Sequence, residues 1–275
     1  MSHAAIRAKE FGELLRSRRE RLQPADVGLP EGSRRRTRGL RREEVAQLAA
    51  ISSTYYAYLE QGRELRPSRQ VVDALAAALR LDAAERAHVH DLVHGAPAAA
   101  PGDAGAAEQL PPAVVALVDR LDPCPTYVTG RHWDVLASNR AARALWTDWP
   151  SLPAAERNLL WWMFTAPAAR DVLVDWPGEA SALLGRFRSA AARHPGDPGF
   201  AALVDRLHAA SPEVRAWWPR HDITPLGSGT KLLRHPVLGE LRLTHVVLQL
   251  ADDAEQKLVT FSAPDADLTR IAGLG

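Results

Sequence analysis

The stretch Arg42–Gly62, REEVAQLAAISSTYYAYLEQG, decides how the first third of the chain is read. It predicts two helices of about two turns each, joined by a turn at Ala49 to Ile51, which is the spacing of a helix-turn-helix. Val45, Leu48 and Ile51 supply apolar knobs from the first helix and the turn, Tyr56 and Leu59 supply them from the second, and Ala46 is small where the helices cross. Winding the second helix at about 100° per residue puts Tyr55, Tyr56 and Leu59 on one side and Ser53, Thr54, Ala57, Tyr58 and Gln61 on the other. That outer side is short, uncharged and able to hydrogen bond, which suits base edges in a major groove. Tyr56 belongs to the core, whereas Tyr55 fits either the core or the outer side. A helical hairpin with no nucleic-acid role is the competing reading of the pair.

Helical patterns continue on both sides of the stretch. Phe11, Leu14, Leu15 and Leu22 give a first helix that ends near Pro24, and a long Pro-, Gly- and Arg-rich loop follows it. Downstream, SRQVVDALAAAL with Ser68 as N-cap and DAAERAHVHDLVH with Asp82 as N-cap bring the expected number of helices to five within residues 1–95. The loop ends in RRRTRGLRR, where Arg34, Arg35, Arg36, Arg38, Arg41 and Arg42 are placed to neutralise backbone phosphates without choosing sequence. A solvated loop is the plainer account of such a charge run. Charge is unevenly divided along the chain: residues 1–70 carry a net +6, and the remaining 205 a net −5. Only the first part is therefore expected to meet a polyanion.

The N-terminal block REEVAQLAAISSTYYAYLEQGRELRPSRQVVDALAAALRL closely resembles the Xre family of phage-repressor-like regulators. The resemblance implies an all-α, five-helix, lambda-repressor-like DNA-binding domain for double-stranded operator DNA, with Ser53, Thr54 and Tyr58 reading bases and Gln61 holding a phosphate. It departs from the family at Ala50, where glycine usually takes a left-handed turn conformation. An alanine there costs about 1 kcal/mol.

Residues 96–112, mostly Ala, Pro and Gly, read as a linker. Beyond it PPAVVALVDRL predicts a lead-in helix, and TYVTGRHWDVLAS alternates as two strands about a turn. A helical stretch from about Asn139 to Trp218 follows, broken by prolines, and then about three more strands turn at His235-Pro236 and Asp252-Asp253. This order predicts an α+β domain over 113–263, a single antiparallel sheet with its helices on one face, and a tail over 264–275. With one cysteine, Cys124, there is no disulfide framework, and the charged N-terminus predicts neither export signal nor membrane span, so the cytoplasm is the expected compartment.

TGRHWDVLASNRAARALW, Thr129–Trp146, first suggests catalysis, since His132 and Asp134 share a strand face. No facing nucleophile is indicated, and neither a nucleophile elbow nor a complete phosphate loop occurs, so no catalytic residue is assigned and no enzyme is expected. His88, His90, Asp91 and His94 come closest to a metal set but read as polar residues of a surface helix, and no metal or cofactor is expected. All eight tryptophans lie at or after Trp133. The pairs Trp161-Trp162 and Trp217-Trp218 cannot both face inward on one helix, which points to a pocket, an interface or solvent.

The successive blocks YVTGRHWDVLASNRAARALW, AAERNLLWWMF, HPGDPGFAALVDRL, SPEVRAWWPRHDI and SGTKLLRHPVLGELRL resemble the MmyB-like ligand-binding domain, from about Leu110 to Ala263. That resemblance implies a PAS-like sheet with a helical cover and a pocket for an apolar, fatty-acid-like small molecule. Arg131, Asn139, Arg140 and Lys231 are candidates for its polar end, because an acyl carboxylate needs a cation or an amide. Trp133, Trp146, Trp161, Phe164 and Trp217 are candidates for its walls. Surface salt bridging is the alternative for each arginine. The combined expectation is a homodimeric, ligand-sensing transcription regulator. Two other readings stay open: a DNA-binding domain fused to an enzyme for a small apolar substrate, and a ligand-independent regulator whose second domain dimerises.

Overall fold

The structure is a computed structural model that describes residues 2–30, 39–95 and 108–274. The chain divides into two compact units: Met1–Ala100 with Gly185–Pro198 and Ala216–Pro225, and Pro101–Leu184 with Gly199–Arg215 and Leu226–Gly275. Among the described residues no helix is long and apolar enough to cross a membrane.

Five helices build most of the first unit: α1 (His3–Arg21), α2 (Arg42–Leu48), α3 (Ser53–Glu60), α4 (Arg69–Ala78) and α5 (Ala83–His94). Short polar side chains start four of them, and two of these caps, Ser68 and Asp82, are the ones the sequence predicts. Ser52 Oγ accepts from Tyr55 N at 3.1 Å, Ser68 Oγ from Val71 N at 3.3 Å, and Asp82 with Glu85 closes a capping box at the head of α5. Phe11, Leu14, Leu15, Val45, Tyr56 and Leu59 share one core with Val72, Leu75, Val89 and Leu92. α1 and α3 meet at Gly12, where a Cβ would lie 2.7 Å from Leu59 O and 2.8 Å from Glu60 O. The absence of a side chain lets the two helices approach this closely. Between α2 and α3, Ala50 has φ 54° and Ile51 N donates to Ala46 O at 2.9 Å. The left-handed turn expected of a helix-turn-helix is thus made by an alanine.

The second unit is built on a five-stranded antiparallel sheet in the order β2-β1-β5-β4-β3: β1 (Thr126–Thr129), β2 (Val135–Ser138), β3 (Gly229–His235), β4 (Gly239–Gln249) and β5 (Lys257–Ser262). α7 (Arg140–Leu145), α8 (Leu159–Thr165) and α9 (Pro167–Val172) follow β2, and α10 (Trp176–Arg193), α11 (Pro198–Ala210) and α12 (Pro212–Trp217) precede β3. Expectation and structure differ in two respects. The lead-in helix α6 (Pro112–Arg120) packs Val118 on Val128 and Leu258. These strand residues point away from Tyr127 and Phe261, so helices cover part of both faces rather than one. In addition, Asp265–Ala272, read as tail, forms α13, with Ile271 buried.

Candidate functional site

The outer side of α3 forms as its spacing predicts. Tyr56 and Leu59 are buried, Tyr55 is half-buried against the core, Ser53, Thr54 and Gln61 are exposed, and Ala57 and Tyr58 are half-buried. Tyr55 therefore serves packing more than base contact. The guanidinium of Arg63 lies 3.7 Å from the centre of the Tyr58 ring, and its Nε donates to Gln61 Oε1 at 3.2 Å. Sequence reasoning missed Arg63; the signal was a cation two residues beyond an exposed glutamine at a helix end.

Beneath that surface a buried carboxylate fixes α3. Glu60 accepts from Arg19 at 2.8 and 3.0 Å and from Arg42 at 2.9 and 3.1 Å, while Arg19 Nη1 donates to Leu40 O at 3.0 Å. Burial alone would raise the Glu60 pKa; the hydrogen bonds and charges of Arg19 and Arg42 outweigh it and carry the group below its ordinary value. Arg42, expected at the phosphate backbone, is thus engaged with Glu60. Arg41 is exposed, and its N–H donates to Glu44 Oε2 at 2.7 Å, which starts α2. Arg34, Arg35, Arg36 and Arg38 lie outside the described residues, as does most of the 96–112 linker.

The candidate pocket residues in the second unit do not all come together. Trp146 lies over the sheet, 5.8 Å from Tyr127 edge-on and 4.8 Å from Phe261, and His245 sits 5.4 Å from Phe261. Tyr127, Phe261 and His245 were missed; strand alternation places them on one face only once the pairing of β1, β5 and β4 is known. Phe164 is buried edge-on to Trp176, whose Nε1 donates to Met163 O at 2.9 Å. Trp161 is half-buried with Arg206 4.4 Å from its ring, and its neighbour Trp162 is buried against Trp149 at 5.8 Å. Trp133 is buried at φ 68°, with Lys257 Nζ 5.7 Å from its ring. The indole N–H groups of Trp133, Trp149 and Trp162 are buried with no acceptor among the described residues.

Two polar candidates prove to be structural. Asn139 caps α7, accepting from Ala142 N and Thr126 N at 3.0 Å each and donating to Cys124 O at 2.8 Å, so its carbonyl oxygen is fully taken up by the backbone. Arg140 joins Ala272 O at 2.7 Å to Asp122 at 3.0 Å and ties α13 to the start of the sheet. Lys231 pairs with Glu179, and the backbone N–H of Arg131 donates to Glu108 at 2.9 Å. Trp217 falls in the first unit. His132 packs edge-on against Phe200 at 4.7 Å, and Asp134 accepts from Asn158 Nδ2 at 3.0 Å, so each member of the pair that suggested catalysis has its own partner.

A helix-turn-helix with an uncharged outer helix face, joined to an antiparallel sheet with an aromatic inner face, defines a DNA-binding regulator with a sensing domain. Residues 10–89 match a helix-turn-helix domain, and residues 110–272 match the MmyB-like transcription regulator ligand binding domain. The chain belongs to the MmyB-like transcription regulators. No curated protein matches it.

Proposed function

We propose that this ligand-sensing transcription regulator binds operator DNA as a cytoplasmic homodimer, through helices within residues 1–95. Its effector is an apolar, fatty-acid-like molecule, held within residues 113–263. The observation that carries the DNA reading is the division of α3 into a buried side, Tyr56 and Leu59, and an outer side of Ser53, Thr54, Ala57, Tyr58 and Gln61. A helix of this kind reads base edges in a major groove, and two copies read two half-sites, which is the ground for the dimer. In support of an apolar effector, the aromatic rings of Tyr127, Trp146 and Phe261 cluster on one sheet face. Lys231 and Arg131 are the remaining candidates for a carboxylate head. Effector and operator are coupled by a free energy that changes half-site geometry, and the coupling is reciprocal.

Replacing Thr54 and Tyr58 with alanine relaxes sequence preference and leaves salt-sensitive, non-specific binding in place. Equal loss on operator and random duplex would contradict base reading. Native mass spectrometry of the purified chain tests the effector: a lipid-sized adduct, returned chemically unchanged after incubation with acyl compounds, is expected of a sensor and not of an enzyme.

A further inference from the structure

A cleft of about 270 Å³ opens between the first turns of α1, the loop after α3 and the end of α5. Arg7, Arg63 and Arg66 line it together with the exposed Leu65, the half-buried Val93 and the core side chains Phe11 and Leu92. Glu64 is the only carboxylate on this lining, and it accepts from Ser2 Oγ at 3.4 Å. The side chains of Arg7 and Arg66 make no ion pair or hydrogen bond with any described residue. Three arginines against one carboxylate in the lining of a small concave space leave a positive potential that an anion relieves.

We propose that this cleft binds a small amphipathic anion, with its carboxylate or phosphate held by Arg7 and Arg66 and its apolar part lying on Leu65 and Val93 beside Phe11 and Leu92. The volume falls just below that of ordinary drug-sized sites, so the ligand is a small one. A DNA strand fits the site less well. Backbone phosphates are met by cations projecting from a surface, and a phosphodiester has no apolar group for Leu65 and Val93. Occupancy also reaches the recognition helix, because Arg63 lines the cleft while stacked on Tyr58 and bonded to Gln61. An anion that draws Arg63 inward releases both side chains. This last step rests on the DNA-reading role of Tyr58; the binding site itself does not.

The test is calorimetric titration of the full-length chain, without DNA, using hexanoate, phenyl phosphate and inorganic phosphate. At least one organic probe binds, and it binds roughly tenfold or more tightly than inorganic phosphate, which has no apolar part. The double variant Arg7→Gln/Arg66→Gln, with an unchanged thermal midpoint as the folding control, weakens the organic probe by roughly tenfold or more. Hexanoate against phenyl phosphate decides between a carboxylate and a phosphate head. The assignment is overturned if neither organic probe binds, if the double variant binds as wild type, or if inorganic phosphate binds equally well. It is also overturned if the variant only lowers the salt slope of DNA binding, which would make the cleft a backbone-phosphate contact. With operator present, a saturating probe alters base preference in wild type. An unchanged preference removes the coupling to Tyr58, while complete absence of operator binding counts against the DNA reading and leaves the titration standing.

Discussion

Ala50 and His88 each carry a cost that can be measured. Ala50 holds φ 54° in the turn between α2 and α3, a conformation that glycine takes without a Cβ clash. Ala50→Gly is expected to stabilise the chain by about 1 kcal/mol in chemical denaturation, and a loss of stability would show that the turn is unstrained. His88 is buried in α5, and burial pushes its pKa down to about 4, with Glu10 opposing and Arg188, His221 and Arg193 adding to the shift. The unfolded chain protonates first, so His88 costs nothing above its ordinary pKa of 6.5 and lowers stability as the pH falls from there toward 4. Across that window the wild type is expected to lose roughly 3 kcal/mol more than His88→Leu in urea titrations. Parallel pH profiles would mean that His88 titrates alike in both states. Glu10 acts in a lower window: burial raises its pKa, but the His221 hydrogen bond and the charges of Arg188 and His221 prevail and hold it at about 2. Its contribution is present above the ordinary value of 4.5 and disappears as the pH falls toward 2.

Helix pairing supplies the next prediction. With backbone oxygens of α3 within 2.8 Å of where its Cβ would stand, Gly12→Ala forces α1 and α3 apart. A loss of roughly 1–3 kcal/mol is expected in denaturant titration, together with weaker operator binding, since α3 moves. Wild-type stability in that variant would mean that the helices part at no cost. The helical elements were legible in sequence because their signals are local: Ser68 and Asp82 cap α4 and α5, and the period of Val45, Leu48, Tyr56 and Leu59 marks the buried sides. Gly12 was not legible, because its importance depends on a helix more than forty residues away. For the same reason the hydrogen-bond partners of two pocket candidates could not be read from the sequence. Asn139 and Arg140 follow β2 in a pattern that suits either a cap or a ligand, and only the positions of Thr126, Cys124 and Asp122 show that they are structural.

At the scale of the whole chain, sequence order and compact unit do not coincide. The residues that complete the helical unit beyond Ala100 include Arg188 and His221, which meet Glu10 at 2.5 and 3.2 Å, and Trp218, whose ring lies 3.9 Å from the Arg188 guanidinium. The composition of α10 gave no sign of this division, since its apolar period runs through Leu183, Leu184 and Phe187 without a break. A fragment ending at residue 95 should still fold its five helices but lose the partners of Glu10. Amide exchange along α1 is expected to be roughly tenfold or more faster in the fragment than in the full chain. Equal protection would show that the later segments add nothing to α1.

The margins of the sheet carry a further consequence. Beside β2, Asp134 bridges to Asn158, and beside β3, Leu173 bridges to Leu233 while Val174 N donates to Leu232 O at 3.1 Å. Each outer strand thus has part of its hydrogen-bonding edge taken up by a short piece of its own chain. A foreign strand meets these segments at those points, which hinders the continuous edge-to-edge pairing to which open sheets are prone, even though Leu232, Val246 and Leu248 leave apolar surface exposed to water.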